Sequence, residues 1–195
     1  MRTGWASVPD RLSAAADNPA EPRIRQAVAA DLPAINRVVE RAVMTWKLPE
    51  RVKRLALPSY RYHAHDLQHQ QMLVAELPHA GIVAVAALEE ADPRDTPSPH
   101  TGLLLHGLYV DPDWQGRGIG TRLIEAACTV CRATGHDGLL VKAQPDAAAF
   151  FQARGMQRLA VKDTDRDYPH RYWLSVDNVT STTSTDGVLP SITPA

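Results

Sequence analysis

The chain has 195 residues, 44% hydrophobic and 22% charged, with a formal net charge of −1 at pH 7. This is ordinary globular usage with enough length for one core, and it excludes a fibrous or low-complexity chain. Lys and Arg are scattered, so the electrostatic footprint of a nucleic-acid binder is missing and a small-molecule partner is expected instead. Cys128 and Cys131 stand three apart in a helical pattern, which builds neither a disulfide framework nor a four-ligand zinc site and suits a reducing, cytoplasmic setting. No stretch approaches the ~18 consecutive apolar residues of a membrane span, and the N-terminus lacks the apolar core of a secretory signal. A soluble protein without a membrane partner is expected.

Residues 1–22 mix Ala, Pro, Ser, Asp and Arg without periodicity and read as a poorly ordered arm, in which Trp5 alone offers a surface to dock. One domain is expected over residues 23–176. It opens with an alternating strand at 23–27, followed by a helix for which Asp31 is the expected N-cap and Pro33 lies in the first turn. Leu32, Ile35, Val38, Val39, Ala42, Val43 and Trp46 recur at three and four, the spacing of a helix face laid on a core. Residues 47–71, punctuated by Pro49 and Pro58, read as two short helices. Within them His65 and His69 are one helical turn apart, but no further ligand set accompanies them and a zinc site is discounted.

Two apolar runs, 72–77 and 81–88, flank a short turn and predict a hairpin. Residues 89–100 are polar and proline-rich and read as an exposed loop. The apolar run 103–110 predicts a central strand buried on both faces. It leads through Asp111-Pro112 and a glycine-rich turn into a helix at about 117–134, with Leu123, Ala127, Val130 and Cys131 inward. A strand at 139–143 then makes a parallel unit with the first. A short helix at 147–154 and a strand pair at 156–161 and 171–176 close the domain. The Ser, Thr and Pro content of residues 177–195 predicts a disordered tail.

The turn Gly116-Arg117-Gly118-Ile119-Gly120-Thr121 delivers backbone N–H groups to a helix start, an anion site in principle. It is not a nucleoside triphosphate loop, because no Lys precedes Thr121, and not a dinucleotide fingerprint, because Thr121 stands where a third glycine is needed and the next strand ends in Lys142 rather than an acid. What remains is Gln115-x-x-Gly118-x-Gly120 directly after Leu108-Tyr109-Val110. This resembles motif A of the GCN5-related N-acetyltransferase (GNAT) family, and residues 144–156 resemble the family's second cofactor-binding helix. The likeness runs over about 23–176 in element order and is sharp over 106–123 and 144–156.

The resemblance implies an α/β fold of α+β type: a mixed, mostly antiparallel sheet, splayed between two central parallel strands, with helices on both faces. It implies acetyl-CoA as acyl donor, no metal, and transfer of an acetyl group to the amine of a small molecule or protein by direct attack. A homodimer stays open. Carried over by position, Leu108, Tyr109 and Val110 run along the thioester and pantetheine, and Val110 N–H faces the oxyanion. Gln115, Gly116, Arg117, Gly118, Ile119, Gly120 and Thr121 line the pyrophosphate. Gln144 stands where Asn is usual and can still bond the pantetheine. Phe151 stands where the family often has the Tyr that returns a proton to the leaving thiolate, so a second reading, a silent acyl-CoA-binding regulatory module, is kept.

Direct attack needs a base for the amine proton. His106, expected on the face of Leu104, Leu108 and Val110, is the first candidate because imidazole titrates near neutrality; the competing reading is a core histidine bonded to a neighbouring strand. Glu89, acting through water, and Tyr168, as a substitute phenol beside His170, are the further candidates. Lys142 reads as a pocket-edge charge.

Overall fold

The computed structural model describes residues 21–177. The expected arm up to residue 20, Trp5 included, and the expected tail from residue 178 lie outside the described residues. Seven strands, β1 (Arg23–Gln26), β2 (Gln71–Leu77), β3 (Gly81–Glu90), β4 (Gly102–Val110), β5 (Gly138–Lys142), β6 (Gln157–Arg158) and β7 (Arg171–Ser175), form one sheet in the order β1-β2-β3-β4-β5-β7-β6. Only β4 and β5 pair in parallel. The apolar run of the sequence is therefore, as its composition predicts, the middle strand of a mixed, mostly antiparallel sheet, but it is not buried throughout: Leu104 and residues 108–110 are half-buried and His106 is exposed.

Five helices complete the domain: α1 (Leu32–Met44), α2 (Glu50–Tyr60), α3 (Asp66–His69), α4 (Ile119–Ala133) and α5 (Ala148–Gln152). On one face α4 buries Leu123, Ala127, Val130 and Cys131 in the cluster formed by Leu73, Ala84, Ala86, Leu103, Leu105 and Leu139. On the other, Ile35, Val38, Val39 and Val43 of α1 share a cluster with Met72, Val74, Val85 and Ala87. The period of 3.6 on each helix thus meets the period of 2 on the strands, and each aliphatic side chain fully removed from water in this way contributes about 1.5–3 kcal/mol.

Several boundaries differ from the sequence expectation for local reasons. Asp31 is the N-cap residue of α1 as expected, but its carboxylate makes no capping bond to the helix: it accepts from the Val28 N–H at 2.8 Å and pairs with Arg25 at 2.6 Å, tying the end of β1 to the helix entry. The α2 helix continues through Pro58 in its last turn. The β3 strand runs through Glu90, so Glu89 and Glu90 sit in the ladder opposite Leu104 and Leu103 rather than in a loop. The last strand pair is uneven, because β6 keeps only two residues at the sheet edge.

Candidate active site

The two parallel strands stay together only from Gly102 opposite Gly138 to Leu105 opposite Val141. Beyond that β4 runs on to Val110 while β5 ends at Lys142, and a gap opens between them. What β4 presents to this gap follows from its pairing with β3. Asp111 N–H donates to Val83 O at 2.9 Å, and antiparallel ladders alternate bonded and non-bonded pairs. Tyr109 and Gly107 therefore bond toward β3, and the backbone groups of Leu108 and Val110 point the other way, into the gap. The Val110 carbonyl is met there by the Gln115 side chain, whose Nε2 donates to it at 3.1 Å.

The strand is not regular. Ala87 pairs with Gly107 but Leu88 pairs with Leu105, leaving His106 as one extra residue, a β-bulge. The expected face of His106 needs correcting for this reason: Leu108 and Val110 pack with the α4-side cluster that also holds Leu103 and Leu105, so the bulge has reversed the alternation and Leu104 does not share their face. The core-histidine reading does not hold either, because the side chain is exposed and has no hydrogen-bond partner among the described residues. Tyr109 is turned away from the gap. It lies in the α1-side cluster, edge-on to Tyr62 at a centroid distance of 6.5 Å, and burial pushes its hydroxyl up to about 12.

The turn after β4 is built on left-handed glycines, Gly116 at φ 74 and Gly118 at φ 78, a conformation that side-chain-bearing residues adopt at a cost. Gly118 is the N-cap of α4, which is why the helix starts two residues later than the pattern suggests. Arg122 N–H to Gly118 O at 3.1 Å is the first intrahelical bond, so the amides of Ile119, Gly120 and Thr121 have no helical acceptor, and they carry the positive end of the helix dipole. The Ile119 side chain is buried at 3% exposure, which leaves its backbone alone to meet a ligand. Arg117 lies over the Trp114 ring at 4.6 Å. Arg154, which the sequence reading passed over, donates by Nε to Thr121 Oγ1 at 2.7 Å and lies over Phe150 at 5.1 Å, a second guanidinium beside the helix start.

A family model described as "Acetyltransferase (GNAT) family" matches residues 40–156, which span the gap, the bulge and the glycine turn. The chain belongs to the GNAT acetyltransferase family. No curated protein sequence matches it, whereas solved GNAT structures share its fold at low identity. An acetyltransferase of the family from Staphylococcus aureus Mu50 superposes with a TM-score of 0.59 at 15% identity, over 80% of this chain and 99% of that one. A GCN5-related N-acetyltransferase from Rhodopseudomonas palustris gives 0.57 at 24%, over 80% and 96%. A GNAT acetyltransferase from Brucella melitensis in complex with acetyl-CoA gives 0.53 at 20%, over 79% and 87%.

In this GNAT chain the far lip of the gap carries Gln144, exposed just after β5. Phe151 faces inward at 6% exposure, its ring stacked on Tyr172 at 6.3 Å. Tyr168 is half-buried beside His170, their rings 6.2 Å apart; among the described residues no hydrogen bond or ring contact ties it to β4. Glu89 lies on the α1 side, where its Oε2 accepts from Gln70 Nε2 at 3.1 Å.

A buried ion network, invisible in the sequence, anchors the loops beside β5. Asp95 pairs with Lys142 at 2.8 Å, Arg166 at 3.1 Å and Arg171 at 3.2 Å, and Arg171 also donates to Asp167 at 2.6 Å. Burial works against the Asp95 carboxylate, yet the Lys142 ammonium and the two guanidiniums hold it below the usual carboxylate range. Asp167 is held low chiefly by the Lys162 N–H, with the arginines adding to it against burial. Lys142 is thus a paired charge. His65 and His69 have their rings 4.3 Å apart, but no group of three His, Cys, Asp or Glu able to hold a metal occurs among the described residues. Among the same residues no helix is long and apolar enough to cross a membrane.

Proposed function

We propose that the protein is an acetyl-CoA-dependent N-acetyltransferase that moves an acetyl group to the amine of a small molecule or a protein. The observation that carries this reading is the backbone edge of Leu108 and Val110, which has no strand partner on the gap side and leads into a glycine turn whose amides at the start of α4 have no helical acceptor. Pantetheine would lie along that edge, displacing Gln115 from the Val110 carbonyl, and the pyrophosphate would sit on the amides of residues 116–121, with Arg117 and Arg154 within reach of its charge. Gln144 would bond the arm from the other lip.

In the reaction the neutral amine attacks the thioester carbon, the C–N bond forms, and the C–S bond breaks as coenzyme A leaves as thiolate. His106, exposed at the bulge, takes the amine proton, and Val110 N–H donates to the oxyanion. The thiolate takes its proton from water or from the product side, because Phe151 has none to give.

The second reading, a silent acyl-CoA-binding module, draws on that same Phe151. Release of free thiol from acetyl-CoA across a panel of amines tests the pair. Turnover with any amine supports the transferase; tight acetyl-CoA binding with no turnover across the panel supports the module; absence of binding removes both.

A further inference from the structure

The middle strand is open at its centre: Leu104 is half-buried and His106 exposed. Beside this opening, three oxygen atoms lack partners. Tyr62, between α2 and α3, is only 5% exposed; its hydroxyl fills the space that a Cβ on Gly107 would need, immediately next to His106, and has no hydrogen-bond partner among the described residues. Gln70 spends its amide N–H on Glu89, and the oxygen of that same amide is buried without a partner. Glu89 uses one carboxylate oxygen for Gln70, and the other has no partner among the described residues. The charge of Glu89 reaches the Tyr62 ring, with those of Tyr109 and Asp66; burial first, then these groups, keep the phenol protonated.

Of the three, Gln70 Oε1 is fully buried, and a buried polar atom ordinarily has a partner. Three oxygens on one face of the sheet, two of them on side chains joined by the Gln70–Glu89 hydrogen bond, suit a group rich in N–H donors, and the carboxylate among them suits positive charge. Among the described residues no cation supplies it: Glu89 has no ion pair, and Lys142 is already bound to Asp95.

We propose that Tyr62, Glu89 and Gln70 receive the acceptor's amino group as an ammonium ion, its N–H groups donating to Tyr62 Oη, Glu89 Oε1 and Gln70 Oε1. The substrate class is then a small cationic primary amine rather than a phosphate-bearing one. This rests on reading the gap as an acyl-transfer site, and it makes Glu89 a binding group: His106 takes the ammonium proton that frees the amine for attack, and the second proton, lost from nitrogen as the C–N bond forms and the C–S bond breaks, passes to the leaving thiolate. Gly107 belongs to the same device, since any side chain there would displace the Tyr62 hydroxyl.

The test is calorimetric titration of the full chain, with and without saturating coenzyme A, using 2-phenylethylamine, its neutral counterpart 2-phenylethanol, and glucose 6-phosphate. The amine is expected to bind about tenfold or more tighter than the alcohol and the sugar phosphate. Glu89→Gln should weaken amine binding by about tenfold, and Tyr62→Phe by about threefold, while coenzyme A affinity stays within about twofold of the parent. Equal binding of amine and alcohol, preference for the sugar phosphate, no binding of any probe, or full amine affinity in Glu89→Gln would each overturn the proposal. The parent-protein comparison decides the matter even if a variant fails to fold. Coenzyme A titrated alone reports separately on the acyl-transfer reading, so the two can fail independently.

Discussion

A Cβ placed on Gly120 would stand 3.2 Å from the tip of the Phe150 ring. The second residue of α4 and the third of α5 are therefore packed backbone against ring, and the spacing of these two elements, proposed above to hold coenzyme A, depends on the missing side chain. Gly120→Ala gains helix propensity of about 1 kcal/mol but pushes Phe150 outward, so its melting temperature should stay within about 4 °C of the parent while coenzyme A affinity drops about tenfold. Gly118→Ala differs in kind: its left-handed φ of 78 makes the substitution cost about 1–2 kcal/mol of stability. Thermal unfolding and calorimetric titration of coenzyme A separate the two effects.

The Asp95–Arg171–Asp167 network fixes the response to acid. Both carboxylates have folded-state values below their ordinary ones, so the stability they contribute is fully present above about pH 4, the unfolded Asp value, and is lost as pH falls through the lowered folded values. Urea unfolding should show a plateau at neutral pH and a steep fall below about pH 4. Arg171→Met, which removes the most buried cation of the network and leaves Asp95 to Lys142 and Arg166 and Asp167 to Arg166 alone, should cost about 1–3 kcal/mol. A loss under about 1 kcal/mol would place the network with ordinary surface pairs.

His106→Ala should lower turnover about 10²–10⁴-fold, leave coenzyme A affinity within about twofold, and remove the ascending acid limb of the pH–rate profile. Because the side chain is exposed and unpartnered, its removal should change stability by no more than about 0.5 kcal/mol. A limb that persists in the variant assigns the base elsewhere.

Cys128 and Cys131 are completely buried, and burial pushes their thiols up to about 11 and about 12. Neither should react with a disulfide reagent at neutral pH in the native protein, and both should react once denaturant is added. Rapid labelling under native conditions would show that α4 opens locally.

What the sequence disclosed was what adjacent residues decide. The run from Leu103 to Cys131 encodes strand, glycine turn and helix in order, so the middle strand, the glycine turn and the inward face of α4 were legible. The bulge was not, because it arises from β4 keeping register with β3, a partner on the other side of a loop. Tyr62 was not, because aromatic residues in an irregular segment carry no period to say which way they face. The ion network gathers Asp95, Lys142, Arg166, Asp167 and Arg171 from segments far apart in the chain, and Arg154 acquires meaning only once α5 has docked beside Thr121.

The bulge also says something about tolerance to change. With Ala87 opposite Gly107 and Leu88 opposite Leu105, deleting His106 would leave Leu105 and Gly107 as successive residues of a regular ladder, every other side chain keeping its face. His106 is supernumerary to the architecture: a shortened chain should fold, pack and melt much like the parent while losing its chemistry. Few positions in the middle strand of a sheet can be removed on such terms, and a residue that the scaffold does not need is there for what it touches.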